Sequence, residues 1–398
     1  MTDAAYLDHA ATSAVRPRAV IDAVVSYLED IGATPGRGGH RLAVEAGRVA
    51  LRCRQRVATL LNIPGDIGRI AFAANATHAL NTALHGVLRP GDRLVVTAFD
   101  HNAVLRPAAA LARQRGIDVV LVAVDENGAV DEDSLRRALQ GARLLTINAA
   151  SNVLGTRLDV ARLAALAREA GAMTLVDVAQ LAGHAPFDAA AAGVDMVAFT
   201  GHKAMLGPQG IGGLWVRAGV DVEPLITGGT GGDSMQRDMP AAYPDHLEAG
   251  TSNGPAIAGL AAGIGVVLDE GVQAIHARTA LLKTALRDGL SSIEGVHVRS
   301  PHAPDGVPIV TITADAMDAG SLAARLDREH GVLTRAGLHC APEAHRLLGT
   351  NRTGAVRFSL GWSSTGQDVE RALTGVRAVL QRSAAATAAR TQSARPRT

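Results

Sequence analysis

At 398 residues, with 39 basic and 38 acidic side chains, the chain is too long for one ordinary core and almost charge-neutral; two domains are the expectation. Its basic residues are scattered rather than clustered, which speaks against nucleic acid or an acidic membrane surface as the main partner. Aromatic residues make up only 3% of the sequence, so the core must be built from aliphatic side chains.

The first residues have neither a basic start nor an apolar run, and no signal peptide is read there. The longest apolar stretch, Pro255 to Leu268, is broken by glycines and falls short of the roughly 20 residues that span a bilayer. Two distant cysteines, Cys53 and Cys340, do not make a disulfide framework. A soluble cytoplasmic protein is expected.

In chain order, a helix is expected from Pro17 to Asp30, since proline favours the first turn. Gly36 to His40 reads as a loop. Glu45 to Leu61 carries Val49, Cys53, Val57 and Leu60 at helical spacing, which makes Cys53 a packing residue. Strands are then expected at 69–73, 93–99, 118–124, 144–148, 174–178, 196–199 and 213–217. Helices fit between them at 77–88, 104–115, 131–139 and 160–170. Such alternation predicts a mostly parallel sheet covered on both faces. Gly228 to Asn253 reads as a long functional loop, and 255–290 as helix-rich. Strands at 309–314 and 355–360 belong to a smaller C-terminal domain. The segment 384–398, rich in Ala, Arg, Ser and Thr, is expected to be a disordered tail.

The candidate chemistry starts from Lys203. The chain has two lysines, Lys203 and Lys283, among its 39 basic residues. Unlike a guanidinium, a lysine amine can lose its proton and attack a carbonyl. Lys203 follows a buried apolar run in Thr200-Gly-His-Lys203 and precedes a glycine-rich hairpin. That setting points to a lysine holding pyridoxal phosphate, rather than a surface lysine in a turn.

Ligands of open parallel sheets bind at the carboxyl ends of the strands. Asp177 stands at one such end and suits a protonated pyridine nitrogen; the competing reading is a helix cap. Ala76 and Thr77 open a helix and suit a phosphate, or form an ordinary cap. His101 is placed to stack on a ring, and Asn152 to donate to a phenolic oxygen. Cys340, beside His339 and near Arg335, has a setting that favours a nucleophilic thiol. Arg357 is a charge inside a strand, awaiting either a substrate carboxylate or an internal salt bridge.

These motifs together resemble the cysteine desulfurase and selenocysteine lyase family, within the class V aminotransferase group of fold-type I pyridoxal-phosphate enzymes. They are Leu7-Asp-His-Ala-Ala-Thr12, Arg37-Gly-Gly-His40, Asp100-His-Asn, Ser151-Asn-Val-Leu-Gly-Thr156, Val176-Asp-Val-Ala-Gln180, Thr200-Gly-His-Lys203, Glu248-Ala-Gly-Thr251 and Arg335-Ala-Gly-Leu-His-Cys340. The resemblance runs from Tyr6 to the helix after Asp368. It implies an α/β fold with a large domain (15–255) built on a mostly parallel seven-stranded sheet between helices. A smaller α+β domain (1–14 and 256–383) completes it.

By the same resemblance, Lys203 carries pyridoxal 5'-phosphate, Asp177 pairs with its ring nitrogen, Gln180 bonds its phenolic oxygen and His101 stacks on its ring. Ala76, Thr77, Thr200 and His202 would hold the phosphate, with Thr251 arriving from the partner subunit of a homodimer. Asn152, Arg357, Arg335 and His40 would contact the substrate, L-cysteine. Cys340 would take its sulfur as a persulfide, for passage to an acceptor protein or reductant. The short loop before Cys340 is like that of the branch with a compact cysteine loop. His78 departs from the family, standing where many members have an acidic residue.

Selenocysteine lyase, or another C–S lyase or epimerase, is the alternative that keeps the cofactor. A zinc site at His339, Cys340 and His345 lacks a further ligand pair. A nucleotide module lacks the required glycine spacing.

Overall fold

The computed structural model describes residues 4–36, 38–232 and 235–393, the last ten by backbone alone. In chain order the strands are β1 (Ala5–Tyr6), β2 (Ile70–Ala73), β3 (Arg93–Thr97), β4 (Asp118–Val122), β5 (Ala142–Asn148), β6 (Met173–Asp177) and β7 (Met196–Thr200). They continue with β8 (Gly212–Val216), β9 (Val296–Val298), β10 (Ile309–Ala314), β11 (Val332–Leu333), β12 (Arg335–Gly337) and β13 (Ala355–Ser359).

Seven strands form one sheet in the order β2-β8-β7-β6-β5-β3-β4. Neighbours from β7 through β4 run parallel, while β8 is antiparallel to both β7 and β2. The expected mostly parallel seven-stranded sheet is therefore present. Its central strands are near-continuous apolar runs because helices cover both faces. Leu144, Leu175 and Met196 pack on one face with the helices Ala76–Val87 and Asn102–Arg115. Leu145, Val176 and Val197 pack on the other with Cys53, Val57 and Leu260. Each fully buried aliphatic side chain there contributes about 1.5–3 kcal/mol. Cys53 is a packing residue, as its helical spacing predicts.

Glycine opens β8 because the sheet is tight there. A Cβ on Gly213 would run into the Phe199 ring of β7, so only glycine lets the hairpin close behind Lys203.

Local capping moves several boundaries. The helix expected from Glu45 starts at Arg41, because the His40 ring accepts from the Ala43 N–H. The helix after Pro17 changes to a π-turn over Tyr27–Ile31, which Gly32 ends in a left-handed conformation. The apolar run after Pro255 belongs to the helix Gly254–Glu270, which packs inside the protein against Arg18–Ser26 and Arg41–Leu61. Among the described residues no single helix is long and apolar enough to cross a membrane.

β12, β13, β10 and β9 make a second, antiparallel sheet. The last helix, Gly366–Ser393, runs into the segment expected to be a disordered tail. Alanine is the strongest helix former, and it dominates that extension; residues 394–398 lie outside the described residues.

The N-terminal segment joins the two sheets' surroundings. β1 pairs with β11, and Asp8 bridges to Ser359 at the end of β13. Ser13 then donates from its backbone to the His202 carbonyl and from its hydroxyl to that of Lys203, each at 2.9 Å. The motif Leu7 to Thr12 thus lies between the small sheet and the lysine loop.

Candidate active site

The parallel strands end on one rim, and the loops beyond them enclose a cavity of about 290 Å³. It brings together Ala76, Thr77, His101, Asn152, Asp177, Gln180, Thr200, His202, Lys203, Arg335 and Arg357. They come from elements far apart in sequence: most stand at the carboxyl rim of the parallel sheet, whereas Arg335 and Arg357 come from β12 and β13 of the second sheet. His40, Thr251 and Cys340 are not among its lining residues. His40 is exposed and spends its ring on capping its own helix. Thr251 is exposed in a separate cavity of about 310 Å³ that also holds His78. Cys340 stands next to the first cavity, with Arg335 Nη2 3.9 Å from Sγ. Arg37 lies outside the described residues.

Burial pushes the Lys203 amine down to about 8, since desolvation penalises its charged form. The Arg357 and Arg335 guanidinium groups push in the same direction, and Asp177 opposes them. Close to neutral pH a sizeable fraction of this amine is therefore uncharged and nucleophilic.

Asp177 is 5% exposed, and burial raises its pKa. One oxygen accepts from the Ala179 N–H at 2.8 Å. The turn bond of the simple capping reading is thus present, and the carboxylate still faces the cavity. His101 also caps its helix: Nδ1 accepts from the Ala103 N–H at 3.0 Å. That bond fixes the neutral tautomer with hydrogen on Nε2. Burial, reinforced by Lys203, lowers this histidine to about 4, so the ring is uncharged at neutral pH.

Arg357 is 1% exposed and makes the internal salt bridge that was one reading of its charge. Its Nη2 pairs with Asp8 at 2.8 Å, its Nη1 donates to the Asn152 carbonyl at 3.0 Å, and its Nε has no protein partner. Asp8 was legible as part of a motif but not as a partner, because 349 residues separate the pair. Asn152 Nδ2 donates to the His339 carbonyl at 2.6 Å, and Gln180 Nε2 to the Ala10 carbonyl at 3.0 Å. Their phenolic-oxygen roles would therefore fall to the second hydrogen of each amide.

Two further groups, the Asp100 carboxyl and the Asn148 amide, received no role from the sequence, although Asp100 stands in one of its motifs. Asp100, which precedes His101, is fully buried and accepts from the Thr97 N–H at 2.7 Å and the Thr146 hydroxyl at 2.8 Å. Burial raises it to about 6. Asn148, at the end of β5, lines the cavity and donates to the Phe99 carbonyl. Asp100 had a signal, a carboxylate directly after a long apolar run, and Asn148 had none.

Backbone strain gathers here as well. Leu206, His339 and Cys340 adopt left-handed conformations with φ of 60, 49 and 58°. Non-glycine residues pay about 1–2 kcal/mol each for this, and such outliers concentrate at functional sites.

Buried polar atoms without protein partners indicate what the cavity accepts. Thr200 Oγ1, His202 Nδ1, Gln180 Oε1, Asn152 Oδ1 and Arg357 Nε are all in this state. Buried polar groups are normally satisfied, and these five belong to residues lining the one cavity, where a ligand would satisfy them. At one end Thr200 and His202 adjoin Ala76 and Thr77, the N-terminal residues of the 12-residue helix Ala76–Val87. That end suits a phosphate. At the other, two arginines suit a carboxylate. Between them stand an amine, a flat ring and a buried carboxylate.

The Aminotransferase class-V family model matches residues 5–372. The chain belongs to the class V aminotransferase family. It is 37% identical over 380 residues to a protein of Pseudomonas aeruginosa named a probable cysteine desulfurase, covering 92% of this chain and 91% of the other. A cysteine desulfurase of Haloferax volcanii is 30% identical, with 90% and 85% covered. Among solved structures, the apo cysteine desulfurase of Thermococcus onnurineus superposes with a TM-score of 0.87 at 29% identity, covering 95% of each chain. A cysteine desulfurase of Escherichia coli gives 0.84, again with 95% of each chain covered. The fold is that of these enzymes, as its motifs imply.

Proposed function

We propose that this family member is a pyridoxal-phosphate-dependent cysteine desulfurase, converting L-cysteine to L-alanine and leaving a persulfide on Cys340. The observation that carries the reading is one cavity holding a partly uncharged lysine and two arginines, one of which touches a cysteine thiol. Bound pyridoxal 5'-phosphate would supply the electron sink for cleaving the substrate's carbon–sulfur bond.

Lys203 is the residue to hold the cofactor covalently and to move protons at the substrate's α-carbon. Asp177, kept out of water by burial, would pair with the ring nitrogen, and His101 would cover the ring. Thr200, His202, Ala76 and Thr77 are the groups for the phosphate. Arg335 and the free Nε of Arg357 would orient the substrate carboxylate, with Asp8 keeping Arg357 in place. Cys340 Sγ then attacks the substrate sulfur: the S–S bond forms, the C–S bond breaks, and the carbon takes a proton to become alanine. A small acceptor protein or a reductant removes the persulfide sulfur. A homodimer, with the partner copy supplying the phosphate contact expected of Thr251, is part of this reading.

The test is product release from L-cysteine with a thiol reductant. Equal amounts of alanine and sulfide are expected from the parent protein. Both should vanish in Cys340→Ala while the yellow cofactor absorbance stays. A protein that is yellow but yields neither product would overturn the substrate assignment.

A further inference from the structure

The segment around Cys340 is held at several fixed points. The Ala341 N–H donates to the Leu338 carbonyl at 2.9 Å, closing the turn around the two left-handed residues His339 and Cys340. The Cys340 carbonyl accepts from the Asn102 N–H at 2.8 Å, and the His339 carbonyl from Asn152 Nδ2. His339 is nearly fully buried and turned away from the thiol. Its Nε2 lies 3.1 Å from the Arg335 carbonyl, and its Nδ1 lies 3.1 Å from His345 Nε2. His345 Nδ1 in turn meets the Thr350 hydroxyl at 2.7 Å. His345 is 0% exposed and its ring stacks on that of His339, with centroids 5.2 Å apart.

The direction of this series follows from its first member. A carbonyl only accepts, so His339 Nε2 carries the hydrogen and its Nδ1 accepts. His345 Nε2 must then donate, and its Nδ1 must take the hydrogen of Thr350. Every ring nitrogen is used once, in one sense, from Thr350 to Arg335. Burial, reinforced by Arg357, keeps both rings uncharged well below neutral pH. Thr350 is itself anchored, since its N–H donates to the His345 carbonyl and its carbonyl accepts from Gly354. Gly354 leads directly into β13 and Arg357. The desulfurase chemistry uses none of these three side chains.

We propose that His345 is a positioning residue for the thiol: through His339 it locks the left-handed turn that holds Cys340 Sγ beside Arg335. The role rests on the reading of Cys340 as the sulfur acceptor. An uncompensated turn would relax towards ordinary backbone angles and carry the sulfur away from its target.

The experiment compares the holoenzyme with its His345→Leu, His345→Gln and Thr350→Val variants. Iodoacetamide labelling reads Cys340 alone in the folded protein, because burial pushes the Cys53 thiol up to about 12 and leaves it unreactive. His345→Leu is expected to label about tenfold faster, with kcat for alanine release down about tenfold. Its KM and cofactor absorbance should stay at parental values. His345→Gln, whose amide N–H stands in for Nε2, is expected to restore both rates. Thr350→Val should shift both in the same direction by a smaller factor.

Unchanged labelling and kcat in His345→Leu would overturn the proposal. So would a glutamine variant as impaired as the leucine one, since space and not the hydrogen bond would then be at issue. If His345→Leu fails to fold, a Thr350→Val protein identical to the parent would overturn it as well. Should the parent release no alanine from cysteine, the desulfurase reading falls, while the labelling contrast still decides the positioning role.

Discussion

The chain's two lysines sit in different parts of the molecule and share one property. Burial pushes each amine down to about 8. Lys283 lies in the helix Val272–Ser291, is 3% exposed, and donates to the Ala303 carbonyl at 2.9 Å. It is packed so closely on Gly306 that an added Cβ there would stand 2.8 Å from Nζ. Lys203 lines a cavity with a buried carboxylate and two arginines. A depressed pKa is therefore not what makes a lysine catalytic. Space for a substrate, and partners for the charges that develop there, make the difference.

The contrast is broken most severely by removing each amine. Lys203→Ala is expected to lose the visible cofactor absorbance and all alanine release, whereas Lys283→Met keeps both. A colourless Lys283→Met protein, or a yellow and active Lys203→Ala one, would reverse the assignment of the two sites.

The next effect is on stability. Lys283 titrates near 8 in the fold and near 10.4 in an unfolded chain. Between those values the unfolded state binds more protons, so the parent gains stability as pH rises from about 8 to about 10.4. Below pH 8 the buried amine costs an amount on the order of 3 kcal/mol. Methionine removes that cost and forfeits one hydrogen bond of about 1 kcal/mol. Denaturant titration at pH 7.5 should therefore find Lys283→Met as stable as the parent or more so. The advantage should shrink as pH rises towards 10. A variant less stable by about 2 kcal/mol or more would show that the amine holds the 303–306 turn more strongly than it suffers from burial.

The smallest effect concerns the rate at which the apoprotein takes up pyridoxal phosphate. With the Lys203 amine near 8, its uncharged fraction rises about fivefold from pH 7 to pH 8. Stopped-flow absorbance should show covalent linkage accelerating by that factor and levelling above pH 9. A rate flat from pH 7 to 9 would place the step under another group's control.

Much of the site was legible before any coordinates. Lys203, Asp177, His101 and Thr200 each follow an apolar run, and the carboxyl end of a parallel strand is where a ligand binds. The alternation of runs and helices announced the sheet itself. The partners of those residues were not legible in the same way. Asp8 and Arg357 meet across the chain's two ends, and the spacing of neither suggests the other. Asp100 stands in a motif after a long apolar run, but nothing local to it says that Thr97 and Thr146 close around it.

The sequence by itself determined the strand pattern, the candidate lysine and cysteine, and the family, because periodicity and short motifs are local properties of a chain. Only the tertiary structure decided that Arg357 is held by Asp8, that His40 caps a helix away from the cavity, and that His339 turns from the thiol towards His345. Each of these depends on which groups are left together once water has been excluded. A buried charge or ring nitrogen must find a partner wherever the fold provides one, and nothing local to it says where that is.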